Sequence, residues 1–402
     1  MAVCCHIIGE GPVRLWGLSS RERYRRMLKQ AGATAIADDV SYAGPGDSVL
    51  LIRGDYLIDG RLLHRLAGSV NVMLVAPAGP ASVVVAAHVP AHLAPRAREI
   101  LSRESATDTL PGVRVESVGD RLSSFDESLR KTEPPIVEPI RPETQRGLER
   151  RLFSSSYKGV TDLVTKWLWP LPARWATRLC AAVGVRPNHI TMMSLALVFV
   201  AGALFANGVY GWGLVAAWIM TFLDTVDGKL ARVTVTSTRL GHFLDKILDL
   251  THPPFWYLLW GLGLESFQPG VSSLTLSITI RAIFIGYIAG RLVEGAFQHW
   301  LGAFGIFCWR PVDSYFRLIT ARRNPNLILL TASLTFNRPD LGLVGVAAWT
   351  VLSSLVLLGR LGFALLVRLK YGPLRSWLVE LNERSADDSL AVRLFAHQSP
   401  VR

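Results

Sequence analysis

The chain holds only four cysteines among 402 residues, Cys4, Cys5, Cys180 and Cys308, spaced neither as a zinc site nor as a disulfide framework. They read as reduced packing residues. The opening residues, MAVCCHIIGEG, lack a basic stretch ahead of a long apolar core, which argues against a signal peptide and for the start of a β-strand. The first membrane span is then expected to serve as the insertion signal. Residues 126–155 lack a sustained apolar period and carry prolines and dense mixed charge, so a linker is expected there. Acid is the scarcer charge, with 31 Asp and Glu against 43 Lys and Arg and a net charge of +12. That excess fits nucleic acid in principle, but the basic residues cluster beside apolar runs, where anionic headgroups and nucleotide phosphates are the nearer partners. Nucleic acid is not an expected partner.

Apolar residues are abundant, at 50% of the chain, and the length leaves room for two domains. A membrane protein with a soluble part is expected. Residues 1–125 read as soluble α/β, because β-rich runs such as SVLLIRGD and SVVVAAHVP alternate with helical patterns such as RERYRRMLKQAGA and APRAREILSR. The alternation predicts a largely parallel, doubly wound, Rossmann-like sheet. The segment GEGPVRLWGLSSRERYRRMLKQAGA weakly resembles the opening of sugar-phosphate and inositol-phosphate nucleotidyltransferases, with Asp55 matching their metal-binding aspartate. It departs from them in keeping only Gly9, Gly11 and Arg14 of the loop, in lacking the Pro-Lys that follows, and in length. A working cytidylyltransferase and a degenerate regulatory or scaffolding domain both stay open, and Asp55 also reads as a polar residue at a strand end.

From 156 to 185, Trp167, Trp169 and Trp175 lie among Lys166, Arg174 and Arg178, as in an interfacial helix on a membrane, with a core helix of the soluble domain as the alternative. Spans are then predicted at about 190–207, 211–231, 243–262, 273–295, 319–337 and 341–366, a six-helix transmembrane bundle within 186–370, followed by a tail over 371–402.

At the edge of two of these spans stands DTVDGKLARVTVTSTRLGHFLDKILD, residues 224–249. On a helix Asp224, Asp227, Gly228 and Ala231 form one stripe, with Arg232 a turn beyond Gly228; Gly241, Asp245 and Asp249 form a second. Acids at membrane depth are costly unless paired, protonated or metal-bound, so the set is a candidate site. Carboxylate oxygen ligands favour Mg²⁺ or Mn²⁺. Gly228 and Gly241 would admit a phosphate ligand close to the backbone, and Arg232 would counter diphosphate charge. The alternative is a transporter or proton relay with buried acids.

The spacing D-x2-D-G-x2-A-R-x8-G-x3-D-x3-D resembles, without departure, the signature of the CDP-alcohol phosphatidyltransferase family. The resemblance covers about 186–370. It implies that Asp224, Asp227 and Asp245 bind metal, that Asp249 acts as base while also lying in the metal set, and that a CMP-linked donor lies across the glycines. The implied reaction moves a phosphate-containing group from a CDP-linked donor, with CDP-diacylglycerol expected, to an alcohol acceptor, releasing CMP. A bifunctional reading, in which the N-terminal domain makes the CDP-alcohol, and a non-catalytic transporter or scaffold are the alternatives. The family's Pro-Asn-x-x-Thr fits Pro187, Asn188 and Thr191, with Asn188 and Thr191 near the nucleotide; Asn188 as a helix N-cap explains the same residues. A homodimer is implied as well.

Arginines cluster on the side of the motif, at 232, 239, 310, 317, 322, 323 and 368, so the positive-inside rule predicts a multi-pass cell-membrane protein with the aspartates, the N-terminal domain and the tail in the cytoplasm. Arg322 and Arg323, with Arg281 and Arg291 inside the fourth span, are expected to converge on one polar cavity and bind a phosphorylated acceptor, an inositol phosphate in particular. Snorkelling to headgroups or topology enforcement is the alternative reading of these arginines.

Overall fold

The structure, a computed structural model, describes residues 3–31, 35–37, 44, 46–78, 81–103, 109–122, 124–237, 239–264, 272–381 and 389–396. Two compact units emerge, one of Met1–Asp126, Glu133–Ser155 and Arg232–Thr236, the other of Glu127–Thr132, Ser156–Ala231 and Ser237–Arg402.

The first unit is α/β. Its elements run β1 (Val3–Ile8), α1 (Ser20–Gln30), β2 (Ala35–Ala37), β3 (Ser48–Arg53), β4 (Tyr56–Ile58), α2 (Gly60–Ala67), β5 (Val72–Ala78), β6 (Ala81–Pro90), α3 (Ala94–Ser102), β7 (Arg114–Ser117), α4 (Val118–Arg121), β8 (Phe125–Asp126) and, beyond β9 (Lys131–Thr132) of the second unit, β10 (Val137–Pro139) and α5 (Gln145–Ser155). Alternation along β3 explains the layering: Leu50 and Ile52 join a core with Tyr24, Leu28 and Leu62 from α1 and α2, while Val49 and Leu51 join another with Ala97, Ile100 and Leu101 of α3. Both sheet faces are therefore covered. Capping fixes where the helices begin: Ser19 and Glu22 form a reciprocal box at α1, and Asp59 accepts from the Arg61 amide at α2.

The main sheet has the order β2-β1-β3-β6-β5-β7. The β1–β2, β1–β3 and β5–β7 pairs are parallel, but β6 runs antiparallel to both β3 and β5, so the sheet is mixed. Only two residues separate β5 from β6, too few for a parallel crossover. Residues 126–155, expected as a linker, contain the end of β8 and all of β9, β10 and α5; β10 pairs antiparallel with β4, and Ile136, Ile140 and Leu148 pack with Leu15 and Leu57. Their apolar residues are too sparse to give a period, yet Ile136, Ile140, Leu148 and Phe153 are all buried.

The second unit is helical: α6 (Pro170–Val183), α7 (Pro187–Ala206), α8 (Tyr210–Val233), α9 (Arg239–Gly263), α10 (Ser273–Ala296), α11 (Pro311–Ile319), α12 (Arg323–Thr335), α13 (Pro339–Tyr371) and α14 (Trp377–Glu380). Prolines at the first helical position start α6, α7 and α13. Trp256 and Trp260 of α9 pack with Phe205 of α7 and with Tyr210, Met220, Leu330 and Leu343, which forms the core. Among the described residues three helices are long and apolar enough to cross a membrane, Pro187–Ala206, Ser273–Leu301 and Pro339–Tyr371. Helices α8 and α9 are long but carry the motif charges. The fifth predicted span is shorter than expected: α12 has 13 residues, about 20 Å at about 1.5 Å per residue against a hydrocarbon core of about 30 Å. In α6, Leu171, Trp175, Leu179 and Val183 recur every four residues and are exposed, the pattern of a helix lying at an interface.

Candidate active site

Asp224 and Asp227 sit one turn apart on α8. Asp227 is buried and accepts a hydrogen bond from the Thr191 hydroxyl of α7 at 2.7 Å. Arg323, at the start of α12, spans two helices: its Nη2 donates to Asp224 Oδ2 at 2.5 Å and its Nη1 to Asp249 Oδ1 of α9 at 2.8 Å. Two carboxylates from separate helices thus converge on one positive group. Next to Asp227, Lys229 is buried, donates to the Ser156 carbonyl at 3.1 Å and lies 3.4 Å from the centre of the Tyr157 ring.

Asp249 opens onto a cavity of about 360 Å³ whose wall includes Arg291, Arg317, Arg322, Arg323, Asp162 and Asn324. Four arginines against two aspartates leave the wall cationic. Arg322 pairs with Glu294, which Arg291 also approaches at 3.7 Å. On Arg317 the Nε and Nη1, and on Arg322 the Nε, are buried and make no hydrogen bond. Buried N–H groups left this way call for an acceptor, which a water or a ligand oxygen can supply. Asp162 accepts from the Thr165 amide at 3.0 Å and from Asn324 Nδ2 at 2.9 Å. Burial alone would push its carboxyl up, but the Arg317 charge and these hydrogen bonds hold it below the usual carboxylate range.

The other expected residues are distributed unevenly. Gly228 and Ala231 are half-buried on α8, Gly241 is half-buried on α9, and Arg232 is exposed in the last turn of α8. The Asp245 backbone lies in α9, but its side chain, with those of 239–240 and 242–246, falls outside the described residues. Asn188 is exposed and is not the N-cap: Arg186 caps α7 and Pro187 takes the first helical position, so Asn188 is second. Arg281 does not join the cavity. It is exposed, about 15 Å along α10 from Arg291 at about 1.5 Å per residue, and helical rotation over that interval turns it to another face. Arg323, expected to bind the acceptor, is engaged instead with Asp224 and Asp249.

Residues 185–306 match the family model for CDP-alcohol phosphatidyltransferase, with the motif helices inside the match. This segment is a CDP-alcohol phosphatidyltransferase domain. The chain is 40% identical over 68 residues to a phosphatidylinositol phosphate synthase of Streptomyces avermitilis, 16% of this chain and 28% of that protein. It is 30% identical over 115 residues to a phosphatidylinositol phosphate synthase of Mycobacteroides abscessus, covering 27% and 50% of the two chains. A putative cardiolipin synthase of Mycobacterium tuberculosis is 31% identical over 124 residues, 27% of this chain and 59% of that one. The chain therefore spans between about a quarter and three-fifths of the length of these relatives. The family match lies outside the α/β unit's two larger segments.

The transferase family is generally dependent on a divalent metal. The residues fit one: Asp224, Asp227 and Asp249 offer oxygen donors only, and the convergence of two of them on the Arg323 guanidinium gives the charge complement a hard cation needs. Among the described residues no three His, Cys, Asp or Glu side chains form a ready cluster. Asp162, Glu294 and Asn324 lie far from the motif in sequence, and no periodicity marks them.

Four positions assigned to a nucleotide-binding N-terminal site have partners of their own. Arg53 holds Asp55 through two hydrogen bonds, of 2.9 and 2.5 Å. The Gly11 amide donates to Ser20 Oγ at 2.9 Å, Arg14 donates to the Gly17 carbonyl at 3.1 Å, and Gly9, at φ 70°, packs its carbonyl where a Cβ on Gly54 would stand.

Proposed function

We propose that the protein transfers a phosphatidyl group from CDP-diacylglycerol to the hydroxyl of a phosphorylated alcohol, an inositol phosphate in particular, and releases CMP. The observation that carries this reading is the cationic cavity beside Asp249, with two unpaired N–H groups of Arg317 on its wall. A phosphate dianion would meet those donors and the excess positive charge together, whereas a neutral alcohol could accept from Arg317 but would leave the charge uncompensated. The names of two relatives, both phosphatidylinositol phosphate synthases, support the same acceptor class.

In this mechanism Asp249, half-exposed to the cavity, takes the proton of the acceptor hydroxyl as it attacks the donor's β-phosphorus. A divalent cation held by Asp224, Asp227, Asp245 and Asp249 would supply charge stabilisation to the diphosphate and the departing CMP. Thr191 fixes the Asp227 carboxylate, and Gly228, Ala231, Arg232 and Gly241 line the donor's path. Arg317 and Arg322 orient the acceptor phosphate; Asn188 and Arg281 have no role in this scheme. The remaining architecture we propose is a six-helix membrane domain, homodimeric, with its site on the cytoplasmic side of the cell membrane and an α/β unit in a regulatory or scaffolding role, its Asp55 paired with Arg53.

The test is CMP release by purified protein given Mg²⁺, CDP-diacylglycerol and a panel of inositol 1-phosphate, inositol, glycerol 3-phosphate and serine. Release with inositol 1-phosphate and not with inositol supports the reading; efficient use of inositol, or no CMP with any acceptor, overturns it. Pyrophosphate formation from CTP and inositol 1-phosphate, abolished by Asp55→Ala, would instead establish the bifunctional alternative.

A further inference from the structure

Helix α9 runs from Arg239 to Gly263 with Pro253 and Pro254 in its interior. Proline has no N–H, so the carbonyls four residues earlier, those of Asp249 and Leu250, lose their helical donors. Both carbonyls are met from another helix. The Tyr287 hydroxyl of α10, buried at 8% exposure, lies 3.0 Å from the Leu250 carbonyl oxygen and 3.3 Å from that of Asp249. Its one proton is shared between them. Arg291 Nη2 donates to the same hydroxyl at 3.3 Å, and its guanidinium carbon lies 5.0 Å from the centre of the tyrosine ring. The Asp249 main chain is therefore held from α10, while its carboxylate is held from α12 by Arg323.

We propose that Tyr287 is a positioning residue for the reaction: its hydroxyl stands in for the two amides that Pro253 and Pro254 remove, and so sets where the Asp249 carboxylate meets the acceptor. The inference rests on the reading of Asp249 as the proton acceptor. Two prolines in a row are an expensive way to build a helix, and they sit one turn beyond the residue whose carbonyl they release. An unbroken α9 would seal the Asp249 and Leu250 carbonyls within its own ladder. The break instead passes control of this turn to Tyr287, and through Arg291 to the cavity wall, where both Leu250 and Arg291 are exposed to the site.

The experiment is Tyr287→Phe, alone and in a Pro253→Ala, Pro254→Ala background, in full-length protein in bicelles. It measures kcat, KM for CDP-diacylglycerol, equilibrium donor binding and melting temperature. In the wild-type background Tyr287→Phe should lower kcat roughly tenfold with donor KM and donor binding unchanged. With alanines at 253 and 254 the helix regains its amides, and the same substitution should change kcat less than twofold. A merely structural role predicts a lower melting temperature and fewer binding sites, with kcat per binding site unaltered. That result, or an equal loss of kcat in both backgrounds, overturns the proposal. Should the double-alanine background fail to fold, the division between kcat and donor KM in Tyr287→Phe alone decides. Asp249→Asn is assayed alongside: if it retains turnover, the reading of Asp249 fails and the inference with it; if it is inactive while Tyr287→Phe turns over normally, only the inference fails.

Discussion

Replacing Arg323 by alanine removes a guanidinium that joins Asp224 to Asp249, and the outcome should depend on metal. Asp224 and Arg323 are each 15% exposed, while Asp249 is 49% exposed, so the Asp224 pair dominates and the Asp249 pair is largely screened by solvent. Breaking a buried pair by removing one partner costs about 3–5 kcal/mol; taking the lower end, at about 2–4 °C per kcal/mol for a unit of this size, melting should fall by roughly 6–12 °C in EDTA. A divalent cation that binds the same carboxylates replaces the lost charge. At one hundred times its dissociation constant it returns about 2.7 kcal/mol, nearly the whole loss. In the wild type the cation competes with Arg323 for Asp224 and Asp249, so its effect on melting should be smaller. Thermal unfolding of both proteins in bicelles, with EDTA and across a Mg²⁺ titration, reads this directly. Equal melting of the two in EDTA, or an identical Mg²⁺ response, would refute the argument that the guanidinium and the cation share one anionic site.

Arg317→Ala should raise the KM for the phosphorylated acceptor by roughly ten- to a hundredfold, on the order of 1.5–3 kcal/mol for a charged hydrogen bond, with donor KM unchanged in steady-state CMP assays. In the α/β unit, His88 is buried between the Leu66 carbonyl, 2.7 Å from Nδ1, and Ser48 Oγ, 2.9 Å from Nε2, which suits a neutral ring donating through Nδ1. Burial, with Arg121 adding to it against the hydrogen bonds, lowers its pKa from 6.5; the unfolded state therefore binds more protons, and stability should be full above that value and fall as pH drops through it, seen as faster amide exchange of β6 at pH 5.5 than at 7.5 after intrinsic-rate correction. A Cβ on Gly263 would meet the Phe205 carbonyl oxygen at 2.1 Å and the Gly208 nitrogen at 2.9 Å, so Gly263→Ala must move backbone and should cost about 1–3 kcal/mol in unfolding experiments. Asp55→Ala should leave CMP release unchanged.

What could be read from the sequence follows how locally each feature is encoded. The stripe of Asp224 and Asp227 needs only the helical repeat, and the structure sets both on one helix, with Asp249 joined to Asp224 through Arg323. The α/β unit was legible because β3 alternates between two cores. The antiparallel run of β6 was missed, because strand composition carries no direction and the two-residue separation was the informative sign. Asp162, Asn324, Glu294 and Tyr287 reach the cavity wall or its supports only through tertiary packing, and nothing adjacent in sequence announces them. Arg281 shows the converse error: the cost of exposing an arginine to lipid does not say which cavity it must face, and helix rotation over ten residues separates it from Arg291.

Helix α13 is 33 residues long, about 50 Å at about 1.5 Å per residue, well beyond a hydrocarbon layer of about 30 Å. Between Asp340 and Arg360 lie 19 residues without a charge, about 29 Å of helix. Each end of that stretch is closed by an ion pair: Arg338 with Asp340 at 2.8 Å, and Arg360 with Asp313 of α11 at 2.6 Å. The two pairs act as collars on a rod and give the protein a preferred bilayer thickness. A thicker membrane would draw a collar into hydrocarbon, and a thinner one would expose leucines, each at a fraction of a kcal/mol per Å. Reconstituted in phosphatidylcholines of graded acyl length, the protein should melt highest where the hydrocarbon layer matches the distance between its collars, so the lipid around the enzyme becomes a variable of its stability.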